Sequence, residues 1–249
     1  MPKKIKAAVI SSVEILMGIL PLIKGEDCLY LNIFTKDNIK KKPVFVWIHG
    51  GGFMTGCSYY PMYDGTNFAN QDIVYVSINY RLGILGFWDF RKLGEEFESN
   101  AGISDQLTAL KWIKHNISSF GGDPDNVTIC GESAGGISVL YLLSSPSSKG
   151  LFNKAISESD LPYSTFDEKA EDIYTNAFLK NCGISSLNKE KLFEYTVEEL
   201  AKLMAKTNEE VSKDYPGYTI PAAVEDDLIP YDVLEGSKKK INKDVKLLI

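Results

Sequence analysis

The stretch from Val127 to Leu143 limits the possible folds of this chain more than any other. A short run typical of a buried strand, Val127-Thr128-Ile129-Cys130, leads directly into Gly131-Glu132-Ser133-Ala134-Gly135-Gly136, and a helical run follows to Leu143. That order predicts a strand, one sharp turn and a helix, with a serine at the apex. The flanking glycines let the backbone reverse within a residue or two and leave room around the hydroxyl. A serine hydroxyl is a weak nucleophile, so chemistry at such a point requires an exposed side chain within reach of a base.

The rest of the chain repeats the alternation of strand and helix. Cys28 to Phe34 alternates polar and apolar residues, whereas Val44–Ile48 and Ile73–Ile78 are continuous runs rich in β-branched residues. Such runs belong to strands covered on both faces. Ile103, Leu107, Leu110, Ile113 and Ile117 recur at a helical period, which predicts a helix over 103–119. Further expectations are a strand at Lys154–Ser157, surface helices at 167–181 and 197–206, and a buried-type strand at Val245–Ile249. The pattern defines an α/β fold, a mostly parallel central sheet flanked by helices.

A second chemical motif, His49-Gly50-Gly51-Gly52-Phe53, directly follows the strand ending at Ile48. Acyl transfer builds negative charge on a carbonyl oxygen, and amides in a glycine-rich loop can face that oxygen unobstructed. With the serine turn, the expected donors are Gly51, Gly52 and Ala134, the residue after the serine. Either motif alone recurs by chance. Together, each at the end of a predicted strand, they form a specific signal. The only histidines, His49 and His115, both precede Ser133, although the order in this arrangement is serine, acid, histidine. His49 reads as a structural imidazole in the glycine loop, and His115 as a surface residue.

These residues resemble the type-B carboxylesterase/lipase family of cholinesterase-like α/β-hydrolases. The resemblance also rests on Glu26-Asp27-Cys28-Leu29-Tyr30-Leu31-Asn32-Ile33, Asn79-Tyr80-Arg81-Leu82-Gly83, Asp105-Gln106 with Ala109-Leu110 and Trp112-Ile113, and Phe120-Gly121-Gly122-Asp123-Pro124. It is detailed over residues 26–160 and loose beyond, mainly at Pro221-Ala222-Ala223-Val224-Glu225-Asp226. It implies a carboxylic ester hydrolase working through an acyl-serine intermediate. Ser133 would be the nucleophile, with Gly51, Gly52 and Ala134 the oxyanion hole, Glu132 tuning the local field, and Glu26 with Arg81 a structural charge pair. The substrate would be a small-molecule carboxylic ester, with no metal or organic cofactor. In the family, the acid and histidine of the triad lie beyond the strand corresponding to Val245–Ile249. A leading cysteine pairs with the one at Cys28, and none lies in residues 1–25. Residues 1–25 thus read as a divergent leading segment and 26–249 as an incomplete α/β-hydrolase domain: a fragment, an incomplete gene model or a truncated protein. The rival readings are a non-catalytic cholinesterase-like adhesion module and a pseudoenzyme.

Composition removes other classes. The net charge of −6 and pI near 5.1 argue against a nucleic-acid partner. Lys3, Lys4, Lys6 and the apolar run Ile15–Ile23 outline a signal peptide. Glu14 and Ser11-Ser12 interrupt it, and no small-x-small site precedes Glu26, so the segment reads as neither signal nor membrane span. The four cysteines show no metal-binding spacing. Cys130 reads as a buried thiol, and Cys28 and Cys182 as the more probable disulfide formers, with three pairings open. Compartment, oligomeric state and ester specificity are not fixed by the sequence.

Overall fold

The computed structural model describes residues 25, 27–39, 41–160, 168–215, 223–230, 233–239 and 241–249. The leading-segment expectations, Glu26, and Pro221-Ala222 lie outside the described residues.

The apolar runs become the inner strands of a six-stranded sheet. β1 (Leu31–Phe34), β2 (Lys42–Ile48), β3 (Val74–Ile78), β4 (Gly122–Glu132), β5 (Lys154–Glu158) and β6 (Lys246–Leu248) are arranged in the order β1-β3-β2-β4-β5-β6. β1 runs antiparallel to β3, and every other pair is parallel. The register sets Val76, Val46, Ile129 and Ala155 side by side. Parallel neighbours require crossovers, and the helices supply them: α1 (Thr66–Asn70), α2 (Ile84–Phe87), α3 (Ala101–Asn116), α4 (Ala134–Ser144), α5 (Glu168–Cys182), α6 (Val197–Asp214) and α7 (Val233–Lys239).

The main core forms where α3 and α4 lie on the sheet. Leu107, Leu110 and Ile113 of α3 and Val139 and Leu142 of α4 join Val44, Val46, Ile129 and Ala155 in one buried cluster. Each such side chain removed from water contributes about 1.5–3 kcal/mol. A second cluster seats α5 and α6 on the segment after α2, through Trp88, Phe90, Tyr174, Phe178, Leu200 and Met204. The segment 223–230 closes over α4. Buried Asn100, in a left-handed conformation (φ 51°), donates Nδ2 to the Val224 carbonyl at 2.8 Å and accepts from the Val224 amide at 3.0 Å. The neighbouring Ala223 amide donates to the Tyr141 hydroxyl at 3.2 Å.

Three expectations need correction. β6 is not a buried strand: it pairs only with β5, and Leu247 and Leu248 are exposed. α5 is not simply a surface helix, because Ala170, Glu171, Tyr174 and Phe178 are buried. All four cysteines are free thiols, with Cys182 buried in the second cluster, so Cys28 and Cys182 form no disulfide. No helix among the described residues is long and apolar enough to cross a membrane.

Candidate active site

β4 ends at Glu132 and α4 begins at Ala134, leaving Ser133 alone to make the turn. Its backbone sits at φ 56°, ψ −121°, a region that costs a non-glycine residue about 1–3 kcal/mol. The turn is held from both sides: the Ser133 amide donates to the Glu158 carbonyl at 2.8 Å, and the Ser133 carbonyl accepts from the Ile137 amide at 2.9 Å. The following glycine permits close approach. A Cβ on Gly135 would lie 2.1 Å from the carbonyl oxygen of Ile48, so the start of α4 is pressed against the end of β2. The Ser157 hydroxyl adds a bond to the Gly136 carbonyl at 2.9 Å.

The glycine loop starts at that same end of β2. Gly51 (φ 111°), Gly52 (φ 62°) and Phe53 (φ 57°) all turn left-handed. The Gly51 carbonyl accepts from the Met54 and Thr55 amides, both at 3.1 Å. The loop abuts the elbow: a Cβ on Gly50 would lie 2.5 Å from the Glu132 carbonyl and 3.3 Å from the Ser133 Cβ. Among the described residues, the Gly51 and Gly52 amides donate to no backbone carbonyl. The Ala134 amide belongs to the first helical turn, whose N–H groups have no partner within the helix. Ser133 is half-buried, and its hydroxyl has no hydrogen-bond partner among the described residues. The structure thus brings the serine turn and the glycine loop together.

Neither histidine hydrogen-bonds to Ser133. His49 is buried, and burial pushes its pKa down to about 4, so the ring is neutral. Its Nδ1 lies 2.8 Å from the Gly50 carbonyl, which can only accept, and its ring stacks on Tyr80 at 4.5 Å. The Tyr80 hydroxyl donates to the His49 carbonyl at 2.6 Å. His49 and Tyr80 therefore brace the loop. His115 is exposed on α3, with Nδ1 2.7 Å from the Lys111 carbonyl.

Around the turn, Glu132 and Glu158 are register neighbours and both exposed. Trp47, Tyr63 and Tyr60 form a ring chain at 5.3 and 5.9 Å, while Tyr59 is exposed. Arg81, expected to pair with Glu26, makes a two-pronged bond to Asp105, with Nε to Oδ2 and Nη2 to Oδ1 both at 2.8 Å. Among Glu225, Asp226 and Asp227, Asp226 bonds the Ser99 hydroxyl at 2.6 Å and caps the Leu228 and Ile229 amides. Among the described residues, no group of three or more His, Cys, Asp or Glu side chains is placed to hold a metal ion. Two supports escaped the sequence reading. Tyr80 had a signal, its place in Asn79-Tyr80-Arg81, whereas Ser157 had none.

A parallel sheet, a serine at a left-handed strand–helix turn and a glycine loop against it define an α/β-hydrolase of the serine type. The family model of the carboxylesterase family matches residues 4–249, and the chain belongs to that family. It is 47% identical over 181 residues to para-nitrobenzyl esterase of Bacillus subtilis (strain 168), a match covering 72% of this chain and 37% of that protein. It is 53% identical over 144 residues to liver carboxylesterase 1 of Oryctolagus cuniculus, covering 56% and 25%. A solved thermophilic PNB esterase superposes with a TM-score of 0.87 at 37% identity, over 92% of this chain and 48% of that one. The chain thus spans about half the length of that esterase structure, and less of these two relatives.

Proposed function

We propose that this chain carries the nucleophile and the oxyanion hole of a carboxylic ester hydrolase. Ser133 Oγ bonds the ester carbonyl carbon and its proton passes to a base. The alcohol then leaves carrying that proton, and water repeats the exchange on the acyl-serine to release the carboxylic acid. The amides of Gly51, Gly52 and Ala134 hold the oxyanion at each tetrahedral stage. The observation that carries this reading is the strained turn at Ser133 with the glycine loop packed against its Cβ. An adhesion module would have no use for a serine held at that energetic cost.

The base is neither of the two histidines. His49 Nδ1 is engaged with the Gly50 carbonyl, and His115 stands exposed on α3. Loss of the triad histidine costs a serine hydrolase about a million-fold in turnover. The 249-residue polypeptide is therefore expected to have no useful esterase turnover by itself.

Imidazole in solution can stand in for the missing ring. The assay is hydrolysis of a short-chain nitrophenyl ester with and without imidazole, by wild type and by Ser133→Ala. Wild type should show no burst alone and an imidazole-dependent rate above that of Ser133→Ala. Equal imidazole-dependent rates in the two proteins would remove Ser133 as nucleophile. A Ser133-dependent burst without imidazole would overturn the expected inactivity.

A further inference from the structure

The face of the sheet turned away from α3 and α4 carries two rows of side chains. Phe45, Thr128, Lys154 and Lys246 are register neighbours in one, and Trp47, Cys130, Ile156 and Leu248 in the other. At the β3 end, α1 lays Phe68 on Phe45 and Tyr75, with ring centroids 4.8 and 5.0 Å apart. Toward β6 the cover thins. Phe45, Trp47, Thr128 and Ile156 are half-exposed, and Leu248 is 64% exposed. A groove of about 340 Å³ runs between Phe45, Ile156 and Leu248. Among the described residues, β6 has no partner on its outer edge. An open edge beside contiguous apolar surface is an interaction site.

Two observations select the occupant. Lys154 and Lys246 stand side by side on this face, and Lys154 is fixed by a 2.7 Å bond from Nζ to Asn126 Oδ1. A second copy laid face to face would set two such lysine pairs against each other, whereas a partner with carboxylates there would be attracted. The solved PNB esterase superposes on nearly all of this chain, yet about half of its own length lies outside the match. A fold of this family therefore includes as much polypeptide again, and the open face is apolar surface for it to bury.

We propose that this face and the outer edge of β6 dock the portion of a carboxylesterase fold that this chain does not represent, and that docking works between separate polypeptides. The incoming segment lays an amphipathic helix with carboxylates over Lys154 and Lys246 and adds a strand beside β6. This inference rests on the proposed function in one respect: the docked segment is the source of the base for Ser133.

The test co-expresses the 249-residue chain with the part of the Bacillus subtilis para-nitrobenzyl esterase outside its match to this chain. Sedimentation should show a one-to-one complex. Lys154→Glu with Lys246→Glu should weaken it at least about tenfold, as should Leu248→Glu, a change at an exposed position that leaves the core intact. Absence of a complex, or a complex indifferent to all three substitutions, overturns the proposal. So does a discrete homodimer of the chain that Leu248→Glu dissociates, since that assigns the face to a second copy. Ester hydrolysis is read separately. A complex without Ser133-dependent activity keeps the docking surface and rejects the nucleophile reading.

Discussion

Replacing Glu171 by glutamine should make the protein more stable, and only above mildly acidic pH. Glu171 is 3% exposed on α5. Its Oε1 accepts from the Asp89 amide at 2.7 Å and the Thr175 hydroxyl at 2.8 Å, while Oε2 is buried without a partner among the described residues. Burial raises its pKa from 4.5 to about 7; the two hydrogen bonds oppose the rise, and the nearby Asp89 and Asp172 carboxylates add to it. Between those values the unfolded chain has released the proton and the folded chain has kept it. Stability therefore falls as pH rises from 4.5 to about 7, then levels off. That span corresponds to about 3 kcal/mol. Glutamine keeps the acceptor and cannot ionise. Urea denaturation followed by tryptophan fluorescence should show Glu171→Gln equal to wild type near pH 4.5 and about 3 kcal/mol more stable at about pH 8. Parallel stability curves across that range would refute the reasoning. A variant weaker than wild type at the alkaline end would mean that the carboxylate is paired.

Gly135→Ala places a methyl 2.1 Å from the Ile48 carbonyl oxygen and should cost at least about 1–3 kcal/mol. An unchanged melting temperature would show that α4 does not press on β2. Ser133→Gly relieves the turn at φ 56° and should gain up to about 2 kcal/mol, the strain less the flexibility cost of glycine. Ser133→Ala keeps the strain and should gain nothing, so equal denaturation midpoints for the two variants would refute a strained elbow. Thr196→Ala removes the reciprocal cap of α6, in which the Thr196 hydroxyl accepts from the Glu199 amide at 3.2 Å and Glu199 Oε2 from the Thr196 amide at 2.8 Å. It should cost about 1 kcal/mol by chemical denaturation, and no loss would mean the cap contributes nothing.

The site was legible because its residues carry backbone requirements. Glycines at 50–52 and around Ser133 announce turns that few other residues tolerate, and the β-branched runs beside them announce covered strands. What stayed hidden depends on distant neighbours. α6 continues to Asp214 rather than 206 because its buried stripe runs Leu200, Met204, Thr207, Val211. Thr207 breaks the apolar pattern, yet it is buried with its hydroxyl bonded to the Leu203 carbonyl at 2.8 Å. Glu171 looks like a surface charge until Asp89, 82 residues earlier, presents an amide to it. The leucines of β6 look like core, because composition records that a strand is apolar and not what lies on its faces. The clasp of Asn100 on Val224 joins residues 124 positions apart and leaves no local trace.

That clasp has a consequence for the order of assembly. The chain emerges from the ribosome starting at its N-terminus, so α3 and the serine-bearing α4 are complete well before residues 223–230 exist. Until they arrive, the Asn100 amide group and the Tyr141 hydroxyl must bond to water in place of the Val224 and Ala223 backbone. In pulse-labelled hydrogen exchange, the first turn of α3 should therefore become slow to exchange at the same moment as the 223–230 segment, although the two are synthesised more than a hundred residues apart.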